Sequence, residues 1–283
     1  MSLLDRIEAC QFWQPQNYRP FAIDGERFGN IRQDLVQRLI DFPKVFHVTD
    51  TLVTFHERLT DFDSRSAAMA DVVASLRAAG EIRQWRDEFY PVTRSWDVAP
   101  KLKMERGAVP DFGVRAYGVH MNGLAEKADG LHLWVARRSM TKQTAPGKLD
   151  HLVAGGQPHG MGILENLIKE CGEEASIPPD LASRAQPIGL VSYVCARPEG
   201  LRDDICFCYD LMLPEGFKPE NTDGEVDDFF LWPIEKVIDV LAAGEDFKFN
   251  CALVIIDLLV RKGYLTPDQQ DYQAIVSGLR LAD

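Results

Sequence analysis

Residues 155–177 read GGQPHGMGILENLIKECGEEASI, and within that stretch three carboxylates, Glu170, Glu173 and Glu174, fall inside five positions behind a glycine-rich loop. Oxygen donors gathered this way suit a hard divalent cation. On an α-helix, positions i, i+3 and i+4 lie one above another, so the three acids project from one face. Leu164, Leu167, Ile168, Cys171 and Ala175 recur at helical spacing on roughly the opposite side. That apolar stripe is expected to pack on a core and turn the glutamates outward. Like charges at i, i+4 cost about 0.2–0.5 kcal/mol per pair, and a mid-helix glycine such as Gly172 costs about 1 kcal/mol relative to Ala. A charge run is most often a plain solvated face. Against that reading, the nearby opposite charge is Lys169 alone, and Gly155-Gly156 upstream lets a ligand approach the backbone closely.

The same residues resemble the Nudix box. Gly155 takes its first position, Glu170 follows the basic Lys169, Cys171 fills an aliphatic place, Glu173-Glu174 supply the acidic pair and Ile177 closes the motif. Met161 stands where the family has its first Glu, Lys169 where it has Arg, and Ser176 where it has the final Gly. The resemblance implies that the first Glu and the Arg brace loop and helix, and Glu165 is a candidate substitute partner for Lys169. The run Leu131 to Ser139 with Lys142 and Pro146 to Asp150 resembles the strand and loop leading into the box. Asp223 to Pro233 with Ile234 to Val237 resembles the strand and helix after it. Val153-Ala154-Gly155-Gly156-Gln157-Pro158-His159-Gly160 and the Lys-Glu-Cys-x-Glu-Glu-Ala stretch are similar to a thiamine-related Nudix subgroup, as is Gly80 to Val92 in the first part of the chain. Members of that subgroup carry an extra N-terminal domain, occur fused to thiamine pyrophosphokinase in some fungi, and hydrolyse damaged thiamine diphosphate.

The resemblance implies an enzyme: a hydrolase that cleaves an organic diphosphate to a monophosphate, with thiamine diphosphate or its oxidised analogues as substrate class. It assigns Glu170, Glu173, Glu174 and the carbonyl of Gly155 to a metal cluster, and all-oxygen ligation favours Mg2+, with Mn2+ the other candidate. The general base is either a box glutamate or Glu225, in the acidic turn Asp223-Gly224-Glu225. Arg138 and Lys142 are candidates to clamp phosphate oxygens, because guanidinium and ammonium groups match an oxyanion. Arg137 and Arg138 alternate across a strand, so at most one of them faces a pocket. Gln157 and His159 either contact substrate or brace the loop. Arg197 is a weaker phosphate candidate whose expected place is solvent. Tyr193, Phe207 and Trp232 could stack on a heterocycle, although such rings are more often core. Two other readings are hydrolysis of a nucleoside diphosphate derivative, such as a nucleotide sugar or dinucleotide, and a binding module that has lost turnover.

Composition narrows the partners. A formal net charge of -12 over 283 residues argues against a nucleic-acid duplex or an anionic membrane as partner. A protein this acidic that handles phosphate must concentrate its cations locally. The six cysteines form no CxxC pair and the six histidines are scattered singly, so neither a disulfide framework nor a zinc spacing is expected. Cys206 and Cys208 read as small core residues. The first residues show no charged and apolar leader and no apolar run is long enough for a membrane span, so the expected location is the cytoplasm. The expected partner is a small-molecule diphosphate; a homodimer is the assembly the resemblance allows.

The elements that position these groups divide near Val109 to Gly113, where Pro and Gly interrupt the pattern. Residues 1–112 are expected to form a smaller α+β domain, with a helix over 3–10, a strand over 46–55, a helix over 64–79 closed by Gly80, and a strand over 89–93. Residues 113–283 are expected to form the second domain. It has strands over 114–122, 131–138, 187–194, 204–213 and 229–232, the box helix, and helices over 234–243 and 251–262. Strands interspersed with a few helices predict a mixed sheet between helical layers, which is the α/β/α sandwich the resemblance implies.

Overall fold

The computed structural model describes residues 2–244 and 246–280. Five strands run side by side in the order Gln186–Arg197, Gly200–Met212, Arg115–Lys127, Gly130–Arg138 and Val226–Pro233. Val153–Gly156 pairs with Arg115–Lys127 and Leu149–His151 with Gly130–Arg138, completing a seven-stranded sheet. Gly200–Met212 runs parallel to Arg115–Lys127 while the neighbouring pairs are antiparallel, so the sheet is mixed.

Strand alternation builds a core on each face. Val119, Met121 and Trp134 point to one side, where Leu167, Cys171 and Ala175 of the helix Ile163–Ala175 cover them. Leu124, Leu133 and Val135 point to the other, against Val237 and Leu241 of Ile234–Ala243 and Leu253 to Leu259 of Phe249–Arg261. The expected α/β/α sandwich is thus observed. No helix of the described residues is long and apolar enough to cross a membrane.

The first part of the chain forms a four-stranded sheet in the order Glu26–Arg32, Tyr18–Ile23, Val53–Phe55, Phe46–Val48, and a two-stranded one from Phe89–Val92 and Leu102–Glu105. The helix Phe62–Ala78 lies in its core through Met69, Val72 and Val73, among Phe21, Phe46, Leu102 and Phe112. Asp61 caps this helix by accepting from the Ser64 amide at 2.9 Å, and Gly80 follows its end with φ +79°. The helix Leu3–Ala9 packs elsewhere: Ile7 is buried in the core beside Phe249–Arg261, and Arg6 donates to the Leu241 carbonyl.

The segment over 46–55 differs from expectation. It is a hairpin of two short strands, because Thr49 turns the chain: its amide donates to the Leu52 carbonyl at 2.9 Å and its hydroxyl accepts from the Leu52 amide at 3.1 Å. The strands Tyr18–Ile23 and Glu26–Arg32 are additional to the expected elements. They are joined by Asp24-Gly25 with φ values of 53° and 83°, a tight turn of the kind that matches strand twist.

Candidate active site

The helix Ile163–Ala175 begins where the Glu165 carboxylate accepts from the Gly162 amide at 3.2 Å, so Glu165 caps the helix instead of pairing with Lys169. It ends at Ser176, which adopts φ 51° in the left-handed region that favours glycine. The Ser176 hydroxyl donates to the Glu220 carbonyl at 2.7 Å, tying a residue other than Gly into that corner. Leu167, Cys171 and Ala175 are buried, but Leu164 is 46% exposed, so the apolar stripe is narrower than its spacing predicts.

Contrary to expectation, the glutamates do not form an outward acidic front. Glu174 is only 7% exposed: it turns back under the sheet and accepts from the Ala154 amide at 2.7 Å. Glu170 lies against Gly155, where an added Cβ would come within 2.3 Å of its carboxylate carbon. Glu173 is half-exposed and pairs with Lys169 at 2.6 Å, while Lys169 also reaches Glu170 at 3.3 Å. The cause is the packing of the helix on Val153–Gly156, which puts positions 170 and 174 over that strand and leaves 173 at the rim.

Burial drives the Glu174 carboxyl well above the usual range, and the neighbouring Glu170 pushes it further. Burial also raises Glu170, against the opposing pull of Lys169. Two crowded carboxyls with so little compensating charge are stabilised either by a proton or by a cation.

Both border a cavity of about 150 Å³ between the first part of the chain and the seven-stranded sheet. Its acids are Glu170, Glu174, Asp204 and Glu225; its cations are Arg86, Arg106, Arg138, Lys142, Arg202 and Lys248. Six positive side chains against four negative, in a chain of net charge -12, is the local concentration that an anionic ligand requires. Glycines keep the walls thin: a Cβ on Gly156 would strike the Tyr90 hydroxyl, and one on Gly118 would lie 2.9 Å from the Gly155 carbonyl oxygen. Arg106 stands over the Tyr90 ring at 5.3 Å and pairs with Glu88 at 2.8 Å.

Of the residues singled out from sequence, Glu170, Glu174, Gly155, Arg138, Lys142 and Glu225 meet at this cavity. Lys142 donates to Glu225, and although burial works to raise the Glu225 carboxyl, that lysine holds it below its ordinary value. Arg138 donates to Asp150 at 2.6 Å and to the Thr144 carbonyl at 2.8 Å, while Arg137 lies over the Phe230 ring at 5.4 Å. Gln157 and His159 do not border the cavity. Gln157 is buried and donates to the Met161 carbonyl at 2.7 Å; His159 stacks on Phe62 with ring centroids 5.2 Å apart. Arg197 is not simply solvated but lies 4.1 Å over the Phe249 ring. Tyr193 is buried and donates to Asp204, Phe207 stacks on Tyr117, and Trp232 on Phe230.

Spacing gave no hint of Arg86, Arg106, Arg202 or Lys248, which come from four separate segments. It gave none of His120, His151 and Cys251 either, which converge beside the cavity. Asp150, next to them, is fully enclosed; burial would raise its carboxyl, but Lys248 and Arg138 hold it well below the usual range. Burial keeps both imidazoles neutral, lowering His151 to about 4 and His120 well below its ordinary value.

A family model described as a domain of unknown function (DUF4743) matches residues 2–116. Nudix hydrolase 20, chloroplastic, of Arabidopsis thaliana is 41% identical over 273 residues, covering 93% of this chain and 73% of that protein. Nudix hydrolase 24, chloroplastic, of the same plant is 40% identical over 284 residues, covering 99% and 78%. Among solved structures, a MutT protein from Methanosarcina mazei is 18% identical, covers 53% of this chain and 96% of its own, and has a TM-score of 0.40. The NUDIX domain of Shewanella oneidensis NrtR, complexed with ADP ribose, is 13% identical, covers 54% and 91%, and has a TM-score of 0.42.

Proposed function

The chain belongs to the Nudix hydrolase family, and from that premise we propose that it hydrolyses an organic diphosphate to a monophosphate at the cavity beside Ile163–Ala175. The observation that carries the reading is the meeting, in one enclosure, of the half-buried Glu170 and the buried Glu174 with a wall of arginines and lysines. The residues fit a hard divalent cation: two carboxyls crowd one another beside Gly155, whose missing side chain leaves the room that a Cβ would take from Glu170. Glu170, Glu174 and the Gly155 carbonyl would hold Mg2+ or Mn2+, with Glu173 at the rim of the set. Bound there, such an ion would supply a lowered pKa for the attacking water and charge to offset that on the leaving group.

The chain's own side chains complete the chemistry. Lys142, with Arg86 and Arg106 from the first part of the chain, would meet phosphate oxygens in the cavity, and Arg138, whose nitrogens donate to Asp150 and to the Thr144 and Ala145 carbonyls, adds its charge to the wall from behind. Glu225, kept ionised by Lys142, is the carboxylate placed to accept the proton of the attacking water. Gln157 and His159 we assign to bracing the loop. The cavity of about 150 Å³ is smaller than a typical site for a whole organic ligand and suits the diphosphate end. An adjoining cavity of about 550 Å³, sharing Gln84 and Thr144 and bordered by Phe249, has room for the organic end. We further propose the division into residues 1–112 and 113–283, with both parts contributing to the site and the helix Leu3–Ala9 reaching across to the second.

Thiamine diphosphate and its oxidised analogues are the substrate class we favour; the support is the likeness of Val153 to Gly160 and Lys169 to Ala175 to the thiamine-related subgroup. The test is product chromatography with Mg2+ over thiamine diphosphate, oxidised thiamine diphosphates, nucleotide sugars and dinucleotides. Turnover of the thiamine compounds above the nucleotides is expected. Faster turnover of a nucleotide refutes the substrate class, and no turnover of any diphosphate refutes the hydrolytic reading.

A further inference from the structure

Three metal-ligand side chains far apart in sequence meet inside the fold. His120 comes from Arg115–Lys127, His151 from Leu149–His151 and Cys251 from Phe249–Arg261. One ring nitrogen of each histidine and the Cys251 sulfur lie within 4.8 Å of one another, all three residues buried. The two Nδ1 atoms face each other at 3.2 Å. Two nitrogens bound tetrahedrally to one Zn2+ at its usual bond length stand about 3.3–3.4 Å apart. Asp150 completes the group: its Oδ1 contacts the Cys251 sulfur and lies 3.9 Å from His151 Nδ1. Its Oδ2 is taken by Arg138 at 2.6 Å and Lys248 at 3.6 Å.

We propose that His120, His151 and Cys251, with Asp150 Oδ1 as fourth ligand, form a site for a borderline-soft divalent cation of the zinc class, distinct from the glutamate pair. Nitrogen and sulfur donors select such an ion, whereas the all-oxygen set on Ile163–Ala175 selects Mg2+ or Mn2+. Charge balances at the site: Cys251 releases its thiol proton to solvent as the ion binds, and thiolate plus carboxylate then match two positive charges. Arg138 and Lys248 hold the carboxylate from its other oxygen, the supporting role that fixes a ligand's orientation. His120 borders the charged cavity, which gives the ion a way in. The bound ion would pin the sheet to the helix Phe249–Arg261. Through Asp150 it would also set the position of Arg138.

The metal-stripped full chain titrated with Co2+ decides this. Wild type is expected to take up one equivalent with tetrahedral bands and a thiolate-to-cobalt charge-transfer absorption, and stoichiometric Zn2+ should erase both. Cys251→Ser should lose the charge-transfer absorption, and both it and His120→Gln, which remove direct ligands, should weaken binding by more than the about 10–100-fold that loss of a supporting partner costs. The double variant Glu170→Gln, Glu174→Gln should keep the absorption at full strength, so this site and the hydrolytic one fail separately. A wild type without the charge-transfer absorption, or one that binds Co2+ no more tightly than Cys251→Ser, overturns the proposal. If a variant does not fold by circular dichroism, the presence or absence of the absorption in wild type decides alone.

Discussion

Two buried acids beside one cavity respond to enclosure in opposite ways. Glu174 is deeply buried and crowded by Glu170, with the Ala154 amide and the charge of Lys142 as partial compensation, and its carboxyl rises well above the usual range. Asp150 is as deeply enclosed, yet Lys248 and Arg138 bring it well below that range. Burial acts the same way on both, so the sign is decided by how many cations the fold supplies. A buried carboxyl with no cation paired to it is poised to take up a metal ion. One with its cations built in is poised to orient the groups around it.

The sharpest way to break this contrast is Glu174→Gln, which keeps an oxygen for the Ala154 amide and removes the charge. A raised folded pKa means that the contribution to stability is present at low pH and lost as pH rises through that pKa. The metal-free variant should therefore melt higher than wild type near neutral pH. Activity should fall by about 10²–10³-fold, since metal stabilisation of transition-state charge is worth several kcal/mol and each 1.36 kcal/mol is about tenfold. A lower melting temperature would place Glu174 among compensated acids and erase its difference from Asp150.

Asp150→Asn is the reciprocal test. It strands Arg138 and Lys248 in the interior and should cost about 3–5 kcal/mol in urea denaturation. A loss below about 1 kcal/mol, the range of exposed pairs, would show that the cations are not committed to Asp150.

Asp111 is the intermediate case, enclosed with one ion-pair partner, Arg32 at 3.4 Å, and with Arg83 acting in the same direction, yet burial pushes its carboxyl up to about 7. Its stabilising contribution is complete below its unfolded pKa of about 4 and disappears as pH rises through about 7. Melting curves across that window should slope downward with pH in wild type and less so in Asp111→Asn. Equal slopes would mean that the arginines around Asp111 offset its burial. Glu173→Gln should have the smallest effect: half-exposed and paired with Lys169, it should change stability by no more than about 1 kcal/mol. Its activity loss should be the least of the three box glutamates, on the order of tenfold, or about 1.4 kcal/mol. A loss as large as that of Glu174→Gln would bring Glu173 into the inner set.

Local signals reach far into the fold. The helix Ile163–Ala175 and the strands Arg115–Lys127 and Gly130–Arg138 are legible because their apolar residues repeat at the period of the element that carries them. The hairpin Tyr18–Ile23 with Glu26–Arg32 carries an equally local signal in Asp24-Gly25, but charged and polar residues weaken the alternation around it and hide the strands. In the site, the box residues and Arg138, Lys142 and Glu225 are legible because they lie within or near one motif. Arg106 and Tyr90 are not, since their only link to Gly156 is a contact across the cavity.

Sequence alone determined which groups could bind a cation, because ligand chemistry belongs to residue type and helical spacing sets which neighbours share a face. It also determined that an acidic chain must gather its positive charge in one place. Tertiary structure decided which glutamate is buried, which arginines surround the cavity, and that His120, His151 and Cys251 meet at all. Those outcomes depend on strand register and on how helices pack against the sheet, through which residues distant along the chain come within a few ångströms, and no local pattern encodes such distances.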